Sequence, residues 1–233
     1  MQIIINHVTR MTTQSRICVA GIEKDAFAHV RPTTPRTDLI TRALLRSEGG
    51  PFGPGAVVDL GPTTPEGQRP EVEDHRFLTA NAAHVEDLSD ELYLAVLKEV
   101  SHAGVVDAFG FDVVEVRPRK LALPAGHGER SLAVVELEAP RLYVDSWGNL
   151  YIDLDDGVTR AKLRVTDVRF YETDHKTIKV DVVNDVARRI AGGVQTYGML
   201  GVARAMWDDD GGNVHWLQCN GICLADHAVR DVP

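Results

Sequence analysis

The chain has 233 residues, a hydrophobic fraction of 44% and a formal net charge of -9 at pH 7. This composition argues against a disordered chain, and no apolar run approaches the roughly 20 residues of a membrane-spanning helix. The acidic balance excludes a uniformly basic nucleic-acid-binding surface, although a local cationic stripe stays compatible with it.

The amino terminus and the cysteines bear on cellular location. The apolar run at 3–5 is too short for a signal peptide, and no Lys or Arg precedes it. Cysteines occur only at Cys18, Cys219 and Cys223, a small and odd number that is typical of reduced thiols. The last two have no second pair that would complete a zinc site. We therefore expect a cytoplasmic protein without a metal and without membrane contact.

The first half of the chain opens on short β-branched runs separated by polar turns, which predict a meander of strands. A helix is predicted at 88–102, because leucines and valines recur there at helical spacing and Gly104 can end it. A long loop-rich region at 33–71 surrounds one short strand. The predicted strands of this half lie at 3–9, 16–22, 27–31, 56–60, 74–79 and 111–121.

A cluster of Pro, Gly and polar residues at 123–129 suggests a boundary between two halves of similar size. In the second half a helix is predicted at 181–191, with aspartates early, Arg188 and Arg189 late, and two glycines as a stop. The predicted strands of this half lie at 132–138, 141–145, 149–154, 160–171, 196–206 and 214–224.

Both halves share one order of elements: a run of strands, one helix, then closing strands. An OB-fold is a five-stranded Greek-key barrel, commonly with a helix between its third and fourth strands. The sequence therefore predicts a mainly β protein with two helices, built as two tandem OB-like β-barrels. The first spans residues 1–124, with a long loop insertion, and the second spans 130–233. A single β-sandwich carrying two helices is the competing architecture.

A run of alternating cations, Arg160, Lys162 and Arg164, is the clearest electrostatic feature. On a strand these side chains share one face about 7 Å apart, near the spacing of phosphates along an extended single strand. The stripe predicts phosphate contacts. The alternative is a solvated outer face whose cations prevent edge pairing, with the aspartates just upstream neutralising it.

Arg10, His29 and Arg31 lie near the ends of the first predicted strands. If 27–31 is a strand, Phe27 shares a face with His29 and Arg31, and this grouping suits base stacking and phosphate contact. A carboxylate partner for Arg31 is the alternative. The histidines of this region lack acidic or cysteine ligands at a helpful spacing, so no metal site is expected.

The last predicted strands supply Arg204 and a row of alternate residues, Trp216, Gln218 and Asn220. The tryptophan offers a stacking surface, and the two amides offer paired donors and acceptors for base edges. Core packing of the tryptophan and a buried hydrogen-bond network of the amides are the alternatives.

Catalytic motifs do not occur in the chain, which has no GxSxG, P-loop, HExxH or GxGxxG sequence. Acid–base chemistry would have to come from His7, His29 or His175. We expect no catalytic residues and no cofactor.

Five short segments together resemble bacterial proteins that contain a dual OB domain. They are HVTRM at 7–11, ICVAGI at 17–22, VRP at 30–32, LRVTD at 163–167 and HWLQCNGI at 215–222. The resemblance spans nearly the whole chain. It implies two OB-folds in tandem and a role in binding a nucleotide or nucleic acid, in prokaryotic defence or stress contexts.

These observations predict a module that binds single-stranded nucleic acid or a nucleotide, as an accessory to a larger bacterial system. A small enzyme acting on a nucleotide-like substrate is one alternative. A scaffold whose strand edges pair with a protein partner is another.

Overall fold

The computed structural model describes residues 1–11, 15–207 and 212–226. This part of the chain is mainly β, as predicted, and forms two sheets. The α-helices found in it are α1 (Asp90–Glu99), α2 (Val105–Phe109) and α3 (Val180–Ala191). None of these helices has the length and apolar character of a membrane span.

The first sheet has seven strands and uses the chain before α1. Within it β1 pairs antiparallel with β2 on one side and with β4 on the other, and β3 pairs parallel with β6. The strand order is β5-β6-β3-β2-β1-β4-β7. The strands are β1 (Gln2–Arg10), β2 (Ile17–Glu23), β3 (His29–Thr33), β4 (Ala56–Asp59), β5 (Thr64–Pro65), β6 (Asp74–Arg76) and β7 (Ala83–Asp87).

The second sheet has ten strands and uses the chain after α1. Its strands are β8 (Ser101–His102), β9 (Val114–Arg117), β10 (Lys120–Pro124), β11 (Leu132–Leu137), β12 (Arg141–Val144), β13 (Leu150–Asp155), β14 (Arg160–Val165), β15 (Thr196–Val202), β16 (Met206–Trp207) and β17 (Asn213–Leu224). The main order is β12-β13-β14-β17-β15-β11-β8; β10 and β16 also pair with β17, and β9 pairs with β10. The β14–β17 pair is parallel, and the β15–β17 pair is antiparallel.

Two parts of the predicted architecture differ from the structure. Neither sheet closes into a barrel within the described residues. The terminal strands of the first sheet, β5 and β7, do not pair with each other, and neither do those of the second, β12 and β8. A third helix, α2, adds to the two that the sequence predicts. It has only five residues, which is too short for a helical pattern to show.

Two predicted strands also change at their ends. Phe27 lies in a turn before β3 with φ 55° and an exposed side chain, so it does not share a strand face with His29 and Arg31. The strand predicted at 160–171 stops at Val165, and the chain continues through a 3₁₀ turn at Val168–Phe170 that the Asp167 carboxylate caps.

The predicted boundary at 123–129 does not coincide with the division between the sheets. Strands β8, β9 and β10 precede that boundary, yet β8 pairs with β11, and β10 pairs with β17. The division of the chain into two domains stays a prediction.

Apolar side chains hold the two sheets face to face. Each sheet has a core of its own on one side, with Phe52 in the first and Phe170 in the second. A third cluster lies between them, where Ile4 and Ile22 meet Met199 and Tyr93 of α1. Burial of this apolar surface is the main force that holds the sheets together.

Candidate functional site: a cationic cleft between the sheets

A β-bulge in β1 changes the face between the sheets from apolar to polar. The register of β1 shifts at Asn6, between the pairs Ile5–Gly21 and His7–Ala20. Before the bulge, Ile4 packs against the second sheet. Beyond it, His7 and its neighbours on the same face line a cleft. Bulges that redirect side chains in this way are frequent next to functional sites.

A second bulge faces the first across the cleft. The register of β17 shifts at Asn220, and Gln218 and Asn220 both line the cleft. The two sheets approach closely beside this bulge, since a Cβ on Gly221 would lie 3.3 Å from the carbonyl oxygen of Asn6. Glycine at this position therefore permits the close approach of the two backbones.

The cleft has a volume of about 780 Å³, within the range of small-molecule sites. Its deep wall is apolar, with Val19, Ala20, Leu132 and Val202 all buried. Among the described lining residues there are five arginines and no carboxylate, namely Arg10, Arg16, Arg31, Arg36 and Arg204. The cleft is thus suited to an anionic ligand with an apolar part.

Arg31 and Arg204 share a buried carboxylate behind the cleft wall. Asp74 Oδ1 accepts a hydrogen bond from Arg31 Nε at 2.5 Å, and Asp74 Oδ2 accepts one from Arg204 Nη2 at 2.6 Å. Glu71 adds an ion pair with Arg204 Nη1 at 2.9 Å. Arg31 therefore pairs with a carboxylate, that of Asp74, which was the alternative to a phosphate contact. Arg204 is half exposed and still faces the cleft.

Arg10 is held at the junction of the two sheets. Its backbone N–H donates to the Thr166 carbonyl at 2.8 Å, and its Nη1 donates to the His175 carbonyl at 2.6 Å. Its guanidinium carbon lies 4.0 Å from the centre of the Tyr171 ring. His175 holds Arg10 in place and does not line the cleft.

Two further cleft arginines were not singled out from the sequence. The guanidinium groups of Arg16 and Arg36 make no hydrogen bond or ion pair with other described residues. Arg16 stands at the start of a predicted strand, and that position is the one sequence signal for it. Arg36 lies in the loop-rich region, where no pattern indicates a ligand contact. The two arginines are the cations most available to a ligand.

His7 forms part of the deep wall and is 2% exposed. Neither of its ring nitrogens has a hydrogen-bond partner within the described structure. Burial, then the nearby His29 and Arg31, lower its pKa well below the usual value. Its ring lies 5.9 Å from that of His29, whose pKa falls to about 4 through burial and through Arg130 and His102. Both imidazoles are therefore neutral at pH 7.

The predicted cationic stripe lies on the outer face of β14. Arg160, Lys162 and Arg164 point outward, and the residues between them are buried, as the alternation predicts. Arg160 Nε donates to Asp155 at 2.8 Å, so its charge is largely neutralised. Arg164 Nη2 donates to the amide oxygen of Asn149 at 2.9 Å and keeps its net charge.

Aromatic rings accompany the stripe on the same face. Lys162 Nζ lies 4.0 Å from the centre of the Tyr151 ring, and Lys120 Nζ lies 4.3 Å from it. Burial, then the charges of Lys162 and Arg164, lower the pKa of Lys120. Sequence reasoning missed Lys120 and Tyr151, since their meeting with the stripe depends on pairing between distant strands.

The stripe and the cleft meet at Gln218. This residue pairs with Arg164 across β14 and β17 and lines the cleft. Trp216, two residues before it, is half-buried. The guanidinium carbon of Arg117 lies 5.8 Å from the centre of its ring. Asn220 is buried and accepts a hydrogen bond from Thr166 Oγ1 at 3.0 Å. It therefore belongs to a buried hydrogen-bond network, which was the alternative to a contact with a base.

Nine of the ten predicted site residues therefore fall into two connected groups. The cleft brings together Arg10, Arg31, Arg204, Gln218 and Asn220, and the outer face carries Arg160, Lys162, Arg164 and Trp216. His29 lies behind His7 and is not part of the cleft lining. In the part of the chain that the structure covers, no cluster of three His, Cys, Asp or Glu side chains could hold a metal ion.

Comparison with known proteins found no matching family model, no matching curated protein and no matching solved structure.

Proposed function

We propose that this protein binds single-stranded nucleic acid or a nucleotide, with phosphates held by the arginines of the cleft and by the cationic stripe of β14. The observation that carries the proposal is the convergence of five arginines on one cleft, of which Arg10, Arg16 and Arg36 make no ion pair with the described residues, whereas Arg31 and Arg204 share carboxylates behind its wall. Local positive charge of this kind attracts phosphate even on a molecule whose formal charge is -9.

The strand order of the second sheet supports an OB-like unit. If β11 and β12 count as one bent strand, the succession is that strand, β13, β14, α3, β15 and β17. The parallel β14–β17 pair, the β17–β15 pair and the β15–β11 pair follow the OB order, with the helix between the third and fourth strands. This strand order also favours the resemblance to dual OB-domain proteins. On that ground we propose that the second sheet is an OB-fold of this kind.

The position of the cations agrees with the way OB-folds bind oligonucleotides. They use the face of strands two and three, flanked by the loop between strands one and two and the loop between strands four and five. Strands two and three correspond to β13 and β14, which carry Tyr151, Lys162 and Arg164. The flanking loops carry Trp147, with an indole 87% exposed, and Arg204. Stacking rings beside cations are typical of sequence-tolerant single-strand binding.

Titration of labelled single-stranded DNA, RNA and mononucleotides by fluorescence anisotropy tests the proposal. The double variant Lys162→Gln/Arg164→Gln should weaken oligonucleotide binding at least tenfold. It should also reduce the slope of log K against log salt by about 1.4, because each phosphate contact contributes about 0.7 on a single strand.

Arg188→Gln is the matched control, since Arg188 is an exposed cation on α3 that pairs with Asp185. It should leave both affinity and salt dependence unchanged. Failure of every oligonucleotide and nucleotide to bind at low salt would overturn the proposed function, and so would equal effects of the control and the double variant.

A further inference from the structure

We propose that the cleft between the sheets holds one nucleotide unit, with its base against His7 on the deep wall and its phosphate among the arginines at the mouth. This inference rests on the proposed function and deepens it, because it assigns the cleft to a single nucleotide rather than to the path of a chain. The ligand class is a free nucleotide or the terminal nucleotide of a strand.

Burial within the cleft separates an apolar interior from a charged mouth. Val19, Ala20 and Leu132 are 2% exposed or less, whereas Arg36 and Arg204 are exposed. A ligand that fills both zones needs one flat, weakly polar part and one anionic part. A nucleotide has both, and inorganic phosphate alone would leave most of the 780 Å³ unfilled.

His7 is the polar group of the interior whose hydrogen bonds the described protein does not complete. It is 2% exposed and lines the cleft, and both of its nitrogens lack a described partner. A buried polar group without a partner is costly, so such groups in native proteins are usually satisfied by something. A neutral imidazole offers one donor and one acceptor on diverging sides of the ring, so one of its nitrogens can pair with a single polar atom on the edge of a base.

The mouth of the cleft supplies free cations for the phosphate. The guanidinium groups of Arg16 and Arg36 have no polar partner among described side chains, in contrast to Arg31 and Arg204, which share Asp74. Guanidinium groups bind phosphate oxygens through two parallel hydrogen bonds, so the two unpaired arginines are the groups that we assign to the phosphate.

Cys18 gives a direct test of occupancy, because its half-buried side chain lines the cleft. The other cysteines, Cys219 and Cys223, are buried. The rate at which a thiol reagent modifies the native protein therefore reports on Cys18. Nucleoside 5′-monophosphates should slow this rate at least fivefold at saturation, and inorganic phosphate and the matching nucleosides should do so only at concentrations at least tenfold higher.

Three variants, each checked for native thermal unfolding, complete the test. His7→Leu should weaken the protection by mononucleotides at least tenfold, whereas His7→Gln, which keeps a donor and an acceptor, should recover part of it. Arg16→Gln/Arg36→Gln should weaken protection by nucleotides and leave that by nucleosides unchanged.

The result that overturns this inference differs from the one that overturns the proposed function. Oligonucleotides that bind in the anisotropy assay while Cys18 reacts equally fast with and without mononucleotides would place binding on the outer face and leave the cleft unoccupied. Equal protection by phosphate and by nucleotides would also overturn it, since the base would then contribute nothing. Loss of all binding in both assays would overturn the proposed function itself.

Discussion

The carboxylate of Asp74 joins two distant arginines, and removing its charge is the sharpest test of the tertiary structure. Asp74→Asn keeps the volume of the side chain but leaves the buried Arg31 guanidinium with only Glu71, at 3.9 Å. Breaking a buried ion pair on one side costs about 3–5 kcal/mol, and the half-exposed position of Arg204 favours the lower figure. We expect the free energy of unfolding to fall by about 3 kcal/mol.

For a chain of this size each kcal/mol lowers Tm by about 2–4 °C, so Asp74→Asn should lower Tm by roughly 6–12 °C. Urea unfolding followed by circular dichroism measures the free energy, and a thermal scan measures Tm. Asp155→Asn is the matched control, because Asp155 forms an exposed pair with Arg160 and exposed pairs contribute little to stability. Equal and small losses in the two variants would refute the reasoning, since Asp74 would then not be buried between the arginines.

Three further results follow from burial. Because the pKa of His29 falls from 6.5 to about 4, the unfolded chain takes up a proton as the pH drops through 6.5 and the folded chain does not. Stability is nearly undiminished at pH 7.5 and should fall by about 2 kcal/mol by about pH 5, and His29→Gln should remove that part of the decline in urea unfolding. Phe52→Ala should cost about 3–5 kcal/mol because Phe52 is fully buried against Phe77, whereas Phe111→Ala, at an exposed ring, should cost less than about 0.5 kcal/mol; similar losses would contradict the assigned core. A thiol reagent should modify one cysteine in the native protein and all three in denaturant, since burial raises the pKa of Cys219 to about 12 and Cys223 is equally enclosed; rapid labelling of a second thiol in the native state would disprove this packing.

The local patterns of the chain predicted most of its elements. The strands β1, β11 and β13 and the helix α3 lie within a residue or two of the predicted positions, because alternation of buried and exposed residues and the charges at helix ends act over a few neighbouring residues. The outward row on β14 follows from the same alternation. Elements of this kind can be predicted from residue spacing alone, because the interactions that form them act between near neighbours in the sequence.

The composition of the cleft was partly predicted. Arg10, Arg31 and Arg204 were singled out as ligand-binding cations, and they do line one cavity. Their ion pairs could not be assigned, because Asp74 is separated from Arg31 by 43 positions and from Arg204 by 130. For His7 the sequence indicates an acid or base, or a metal ligand that lacks partners, and nothing in it shows that the ring nitrogens are buried without hydrogen bonds.

By itself, the sequence determined a mainly β chain with amphipathic helices and an outward cationic strand, since each of these depends on the spacing of neighbouring side chains. Only the tertiary structure decided that the strands form two sheets packed face to face and that bulges at Asn6 and Asn220 open a cleft between them. Strand partners and bulges depend on contacts between segments far apart in the chain. Their energies come from burial and pairing that exist only once the sheets have met.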